Sequence, residues 1–353
     1  MGAGSRSRFA RIASIAAAGV LALGLAGAVV VGTATSKPTA LPEQPEALSV
    51  TATPITRFKI GDDGTRFGAL SFRGGLVLHS AYPAFGGISG FTLAPDNRFL
   101  AVTDAGVFLS GRLDVDGDRP TGLSDVMAAA LKDDAGRLQA QRGRGDSESL
   151  TIAPDAVYVG MEDVNEVWRY PRDPMGKNGT RVPAPMVRDL RNNLGLEGLA
   201  YVPSGPLKGA LIGIGEDGIQ KGEDLPGFII GGPAPGRFTI LKSRPFNATD
   251  LAIAPNGDMY LLERHFSLST GVLMQVRWFA LAEVKPGAVV SGTVLGTFDN
   301  GYEIDNMEGL AVTTNAAGET LLTMISDDNF SPIQRTILLR FAVGEPNRHA
   351  VAP

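Results

Sequence analysis

Apolar residues fall in short runs along most of this chain, and polar turn residues separate the runs at regular distances. The clearest case is 247–265, where Asp250 opens an apolar run over 251–254. A Pro-Asn-Gly turn follows at 255–257, and a second run over 259–262 ends on Glu263. Two such runs joined by such a turn predict a β-hairpin. A hairpin returns the chain to the end it left, so Asp250 and Glu263 are expected side by side.

The pattern recurs. Glu148 leads into 150–153 and, past Pro154 and Asp155, to 158–160 and Glu162. Glu197 leads into 199–202, then to 211–214 and Glu216. Glu308 leads into 310–312, then to 321–325 and Asp327. The earliest copy has Ser89 in the acid's place, then 91–93, 99–102 and Asp104. Copies begin roughly 50–60 residues apart with several strands in each, a period that predicts a β-propeller. The expected fold class is therefore all-β, a propeller of five or six four-stranded blades. Strands near 55–60 and 67–79 are expected to pair with the last strand, 336–343, so that the N- and C-terminal strands close the ring. The first strand of a propeller blade lines the central channel, so the acids should converge on one mouth.

Composition agrees with a turn-rich chain, with 45 glycines and 23 prolines in 353 residues. Helical periodicity is nearly absent after residue 40, and the best helix candidate is 123–131, begun by Ser124 and ended near Gly136. Residues 1–36 stand apart. Arg6, Arg8 and Arg11 precede an apolar run over 12–31, which reads as a signal peptide or as an N-terminal membrane anchor. Export to the periplasm or the medium is expected either way, with membrane contact only if that segment is kept. Residues 37–54, rich in proline near their start, read as a linker, and 55–347 as the propeller domain.

Net charge is −5, and taking away the three arginines of residues 1–36 leaves −8. Nucleic acid is not an expected partner, because its phosphates need clustered Lys and Arg. The chain has no cysteine, which excludes disulfides, thiolate metal sites and a lipid-modified cysteine.

Five stretches resemble the phytase-like "esterase-like activity" family of bacterial exported proteins. They are 85–106 (FGGISGFTLAPDNRFLAVTDAG), 145–150 (GDSESL), 192–200 (NNLGLEGLA), 246–267 (FNATDLAIAPNGDMYLLERHFS) and 306–341, with NMEGLAV and SDDNFSPIQRTILLRF. They occur in the family's order across about 57–343. Leu194 departs from the pattern, standing before Gly195 where the family more often has a basic residue or asparagine. The resemblance implies a propeller and hydrolysis of a phosphoester or carboxylester.

Crowded carboxylates cannot all ionise without a neutralising partner. Asp104, Glu148, Glu162, Glu197, Glu216, Asp250, Glu308 and Asp327 are the candidate ligands of a divalent cation. Ca2+ suits oxygens from separate blades, while Mg2+ demands tighter octahedral geometry. Glu263, Arg264 and His265 are the candidate catalytic group: a spare carboxylate as general base, a guanidinium that is first the counter-charge of the carboxylates and otherwise a clamp on the substrate's oxygens, and an imidazole for the leaving group. The bland reading has equal standing: acids that start inner strands accept backbone N–H groups from the next blade and lock the ring. At the level of function, a metal-dependent hydrolase of small phosphoesters or related esters, monomeric, competes with a non-catalytic binding propeller and with a lactonase-like hydrolase.

Other motifs carry less. Gly213–Gly218 has dinucleotide-loop spacing but no helix pattern after it. Asp114, Asp116 and Asp118 resemble the start of a calcium loop, but Arg119 occupies the position that needs glycine. Ser89 lacks a nucleophile elbow, and with three histidines in the chain a serine triad has little support. Trp168 and Trp278 read as packing residues.

Overall fold

The computed structural model describes residues 37–344 apart from Thr39 and Asn192. The expected signal or anchor lies outside the described residues, as do 345–347 of the expected domain. Among the described residues no helix is long and apolar enough to cross a membrane.

Five sheets, antiparallel except where the short edge strand Val289–Val290 pairs parallel with Gly236–Ile240, form a five-bladed β-propeller. Blade 1 starts with Ile88–Leu93, blade 2 with Ser147–Ile152 and blade 3 with Leu196–Tyr201. Blade 4 starts with Asn247–Ile253 and blade 5 with Asn306–Thr314. Each of these strands packs beside its counterparts in the two neighbouring blades, blade 5 against blade 1 included, so they enclose the axis. The second strands, Arg98–Thr103, Ala156–Met161, Leu211–Gly215, Asp258–Ser267 and Thr320–Asp327, lie antiparallel outside them. In blade 5 the next strand, Thr336–Val343, pairs with Leu70–His79, which pairs in turn with Thr51–Ile55.

Side-chain alternation builds the core. Successive residues of a strand face opposite sides of their sheet. Leu100 and Val102 face blade 2, while Phe99 and Ala101 face blade 5. The same division gives one apolar cluster in each of the five gaps between neighbouring blades. The gap between blades 4 and 5 is the most aromatic: Phe58 contacts Phe67, Phe72, Phe298, Tyr302 and Phe341. Turn chemistry agrees with the sequence, since Asn97 and Gly257 take the positive φ that their hairpins require.

One irregularity is common to all five blades. The register between first and second strands slips at Ser89, Glu148, Glu197, Thr249 and Glu308, each an extra residue in the first strand. These are β-bulges, which release a residue from the ladder and re-aim its side chain. A glycine follows the bulge in three blades (Gly90, Gly198 and Gly309) and lets the next inner strand approach. A Cβ on Gly309 would stand 2.6 Å from that of Phe91.

Two expectations are corrected here. Residues 123–131, the helix candidate, lie almost wholly in the strand Arg119–Ala130. Pairing with Val107–Asp116 overrides the propensity of its alanines, and a register shift near Asp125, at φ 52°, accommodates the polar residues. Residues 37–54 are not a free linker. Ala130 N–H donates to Pro42 O at 2.8 Å, Glu46–Ala47 adds an edge strand to blade 1, and Thr51–Ile55 joins blade 5.

Candidate functional site

The bulged residues form the inner tier of one channel mouth: Ser89, Glu148, Glu197, Thr249 and Glu308. An outer tier ends the second strands. Asp104, Glu162, Glu216, Arg264 and Asp327 stand opposite Gly87, Asp146, Gly195, Asn247 and Asn306 in the ladder. Seven of these ten side chains are acids and one is a cation. Gly87 leaves room for the carboxylate opposite, since a Cβ there would lie 2.3 Å from Asp104 Oδ1, and Gly195 leaves room for Glu162 of the neighbouring blade, whose Cγ would stand 2.5 Å from a Cβ.

The acids act on one another. Burial raises the Glu148 carboxyl well above the usual range, and Glu197, Glu308, Asp146 and Asp104 push it further. Burial raises Glu197 likewise, followed by Glu216, Glu162 and Glu308, with Arg264 opposing. Glu162 is pushed up to about 7 by burial against the Gly195 N–H that it accepts at 3.0 Å. Glu308 also reaches about 7, burial outweighing Arg264, whose Nη2 stands 3.3 Å from its Oε1. Burial takes Asp104 to about 6 and holds Asp327 well above its ordinary value. Four blades thus feed one electrostatic centre, and the fifth supplies Arg264.

Within this mouth, oxygens of Asp146, Glu148 and Glu162 lie within 4.8 Å of one another, and so do those of Glu162, Glu197 and Glu216. Glu162 belongs to both groups. Asp104 Oδ1 and Arg264 Nε are buried without a hydrogen-bond partner. Asn247 donates to Glu216 at 3.0 Å and Asn306 to Glu308 at 2.7 Å, fixing two carboxylates in place. The donors are all oxygens, the type that hard divalent cations take.

Of the sequence-derived ligands, Asp104, Glu148, Glu162, Glu197, Glu216, Glu308 and Asp327 meet at the mouth, and Asp250 does not. Its carboxylate, 1% exposed, accepts the N–H of Leu310 at 2.6 Å and of Leu251 at 2.7 Å. It ties the inner strands of blades 4 and 5 together, the ring-locking role. Thr249 occupies the inner-tier position instead, and its hydroxyl donates to Met307 O at 3.0 Å. Ser89 likewise bonds across to Ser147 O.

Glu263 is also displaced. It is fully buried and held by Arg277, whose Nε and Nη2 both lie 2.6 Å from its carboxylate. Glu263 and His265 flank Arg264 in the strand and so face the other side of the blade. Arg264 alone of the expected catalytic three reaches the mouth.

Asp146, Asn247, Asn306 and Lys37 complete the mouth without having been ranked. A signal for the blade 4 offset exists in the sequence. Counting back from Phe91, Leu150, Leu199, Leu251 and Leu310, the second residue is Ser89, Glu148, Glu197, Thr249 and Glu308. The three-aspartate motif is a hairpin: Asp114 accepts Ser124 Oγ, Asp116 pairs with Arg119, and Asp118 accepts Asn315 Nδ2.

The sequence pattern of the Phytase-like family, described as "esterase-like activity of phytase", matches residues 83–330. Among curated proteins none matches the chain. Similar solved structures include the glutaminyl cyclase of Myxococcus xanthus, at 16% identity over 73% of this chain and 91% of that one, TM-score 0.38. A nidogen/laminin complex shows 11% identity over 73% and 87%, TM-score 0.39. The tail fibre of Staphylococcus aureus phage P68 shows 13% over 82% and 55%, TM-score 0.41.

Proposed function

Because this chain belongs to the phytase-like family, we propose that it is an exported hydrolase of phosphoesters or related esters. It works with a divalent cation, Ca2+, at the carboxylate mouth. The observation that carries this reading is the pair of carboxylate groups that share Glu162. Ca2+ takes about six to eight oxygens in loose geometry, so three carboxylates leave positions for water and substrate. Export is read from the basic and apolar pattern of residues 1–36.

A bound cation would polarise a phosphoryl or acyl oxygen and acidify a coordinated water. The remaining work falls to the chain. Asp146, Glu148 and Glu162 form one holding group, and Glu162, Glu197 and Glu216 the other. Arg264 carries the one guanidinium among the ten tier positions, which suits it to an anionic oxygen of the substrate. Glu308, with its carboxyl near 7, is poised to take up and return a proton at neutral pH.

The test is metal analysis of the purified protein together with a screen of phosphate and carboxyl esters. A stoichiometric divalent ion is expected, with turnover abolished by chelator and by Glu162→Gln while circular dichroism stays unchanged. Absence of turnover on every ester at every calcium concentration would overturn the hydrolase and leave a ligand-binding propeller.

A further inference from the structure

Lys37 reaches into the acidic mouth from outside the blades. Its ammonium donates to Asp104 O at 2.8 Å and to the Asp146 carboxylate, and stands 3.6 Å from Asp104 Oδ2. Asp146 is a member of one of the two carboxylate groups. The position of Lys37 is built. Leu41 and Leu48 pack against the core between blades 5 and 1, and Pro42 O accepts the N–H of Ala130. Glu46–Ala47 pairs with Met127 and Ala128, and Glu46 accepts Tyr82 OH at 2.8 Å. Residues 40–48 therefore form a strap across blade 1, and Lys37, ahead of it, is a cation laid on the mouth.

We infer that Lys37 is an intramolecular counter-ion that competes with a divalent cation for the Asp146, Glu148 and Glu162 carboxylates. This rests on the cation reading given under Proposed function. An ammonium brings one positive charge and three donors to oxygens that a divalent ion would also claim. The two positive charges repel at that short range, so an ion that enters displaces the lysine or binds against its field. Lys37 is about half exposed, so lifting it uncovers little apolar surface.

The experiment is calorimetric titration of CaCl2, after chelator treatment, into the full chain in detergent, its Lys37→Met variant and its Lys37→Arg variant. Removing the charge is expected to tighten binding about tenfold or more, with Lys37→Arg remaining like the parent and the gap narrowing at high salt. Equal affinity in all three overturns the competition and leaves the cation reading standing. Weaker binding by Lys37→Met also overturns it, because the lysine then supports the ion. If no form binds calcium, the cation reading falls and this inference with it.

Discussion

Glu197 and Glu263 are both buried glutamates, yet their neighbours give them opposite consequences. Glu263 has a guanidinium matched to both oxygens, and removing one partner of a buried ion pair costs about 3–5 kcal/mol. Arg277→Ala should lose stability of that order in urea denaturation, with calcium titration unchanged. Glu197 faces four other acids, so Glu197→Gln should leave the chelated protein as stable as the parent or more so, while calcium affinity falls. A stable Arg277→Ala variant, or a Glu197→Gln variant that unfolds, would reverse these roles. Which residue types gather at the mouth was legible from the sequence, because the acids repeat at matching places beside the apolar runs. Which of two adjacent residues points inward in blade 4 is carried only by the count back from the apolar run, because side-chain direction flips with every residue and the bulge that sets it has no composition of its own.

At the level of elements, the hairpins were legible because apolar runs and turn residues alternate in every blade. Two pieces were not. Residues 123–131 look helical until their partner strand is known, and the edge strand Glu46–Ala47 has no run of its own. Pairing supplied by distant segments decides both. The inner strands also make a demand that composition conceals, namely close approach between neighbouring blades. Gly309→Ala should force the neighbouring strand, which carries Phe91, away from residue 309, and overpacking of this kind costs about 1–3 kcal/mol. A lower melting temperature is expected, whereas Gly257→Ala, whose added methyl meets open space, is opposed by positive φ alone and should lose less.

Across the whole molecule, crowded acid makes stability depend on pH in a defined direction. Glu308 and Asp104 titrate in the folded protein at about 7 and about 6, above their ordinary values of 4.5 and 3.8. The folded state therefore binds more protons than the unfolded chain between those limits, and stability falls as pH rises. In chelator the melting temperature should decline from about pH 4 to about pH 7 on this account. Calcium should restore it at the upper end and do little at the lower. A chelated protein that grows more stable over that range would contradict the mouth's electrostatics. The bulges carry one more consequence. The ten tier residues, five of them released from the ladder by bulges, stand apart from the apolar clusters that hold the blades together. Most of them can be rewritten like the pins of a lock while the barrel around them keeps its shape. Descendants of one such scaffold are thereby free to diverge in what they accept, and an engineer could install imidazoles or hydroxyls there one blade at a time.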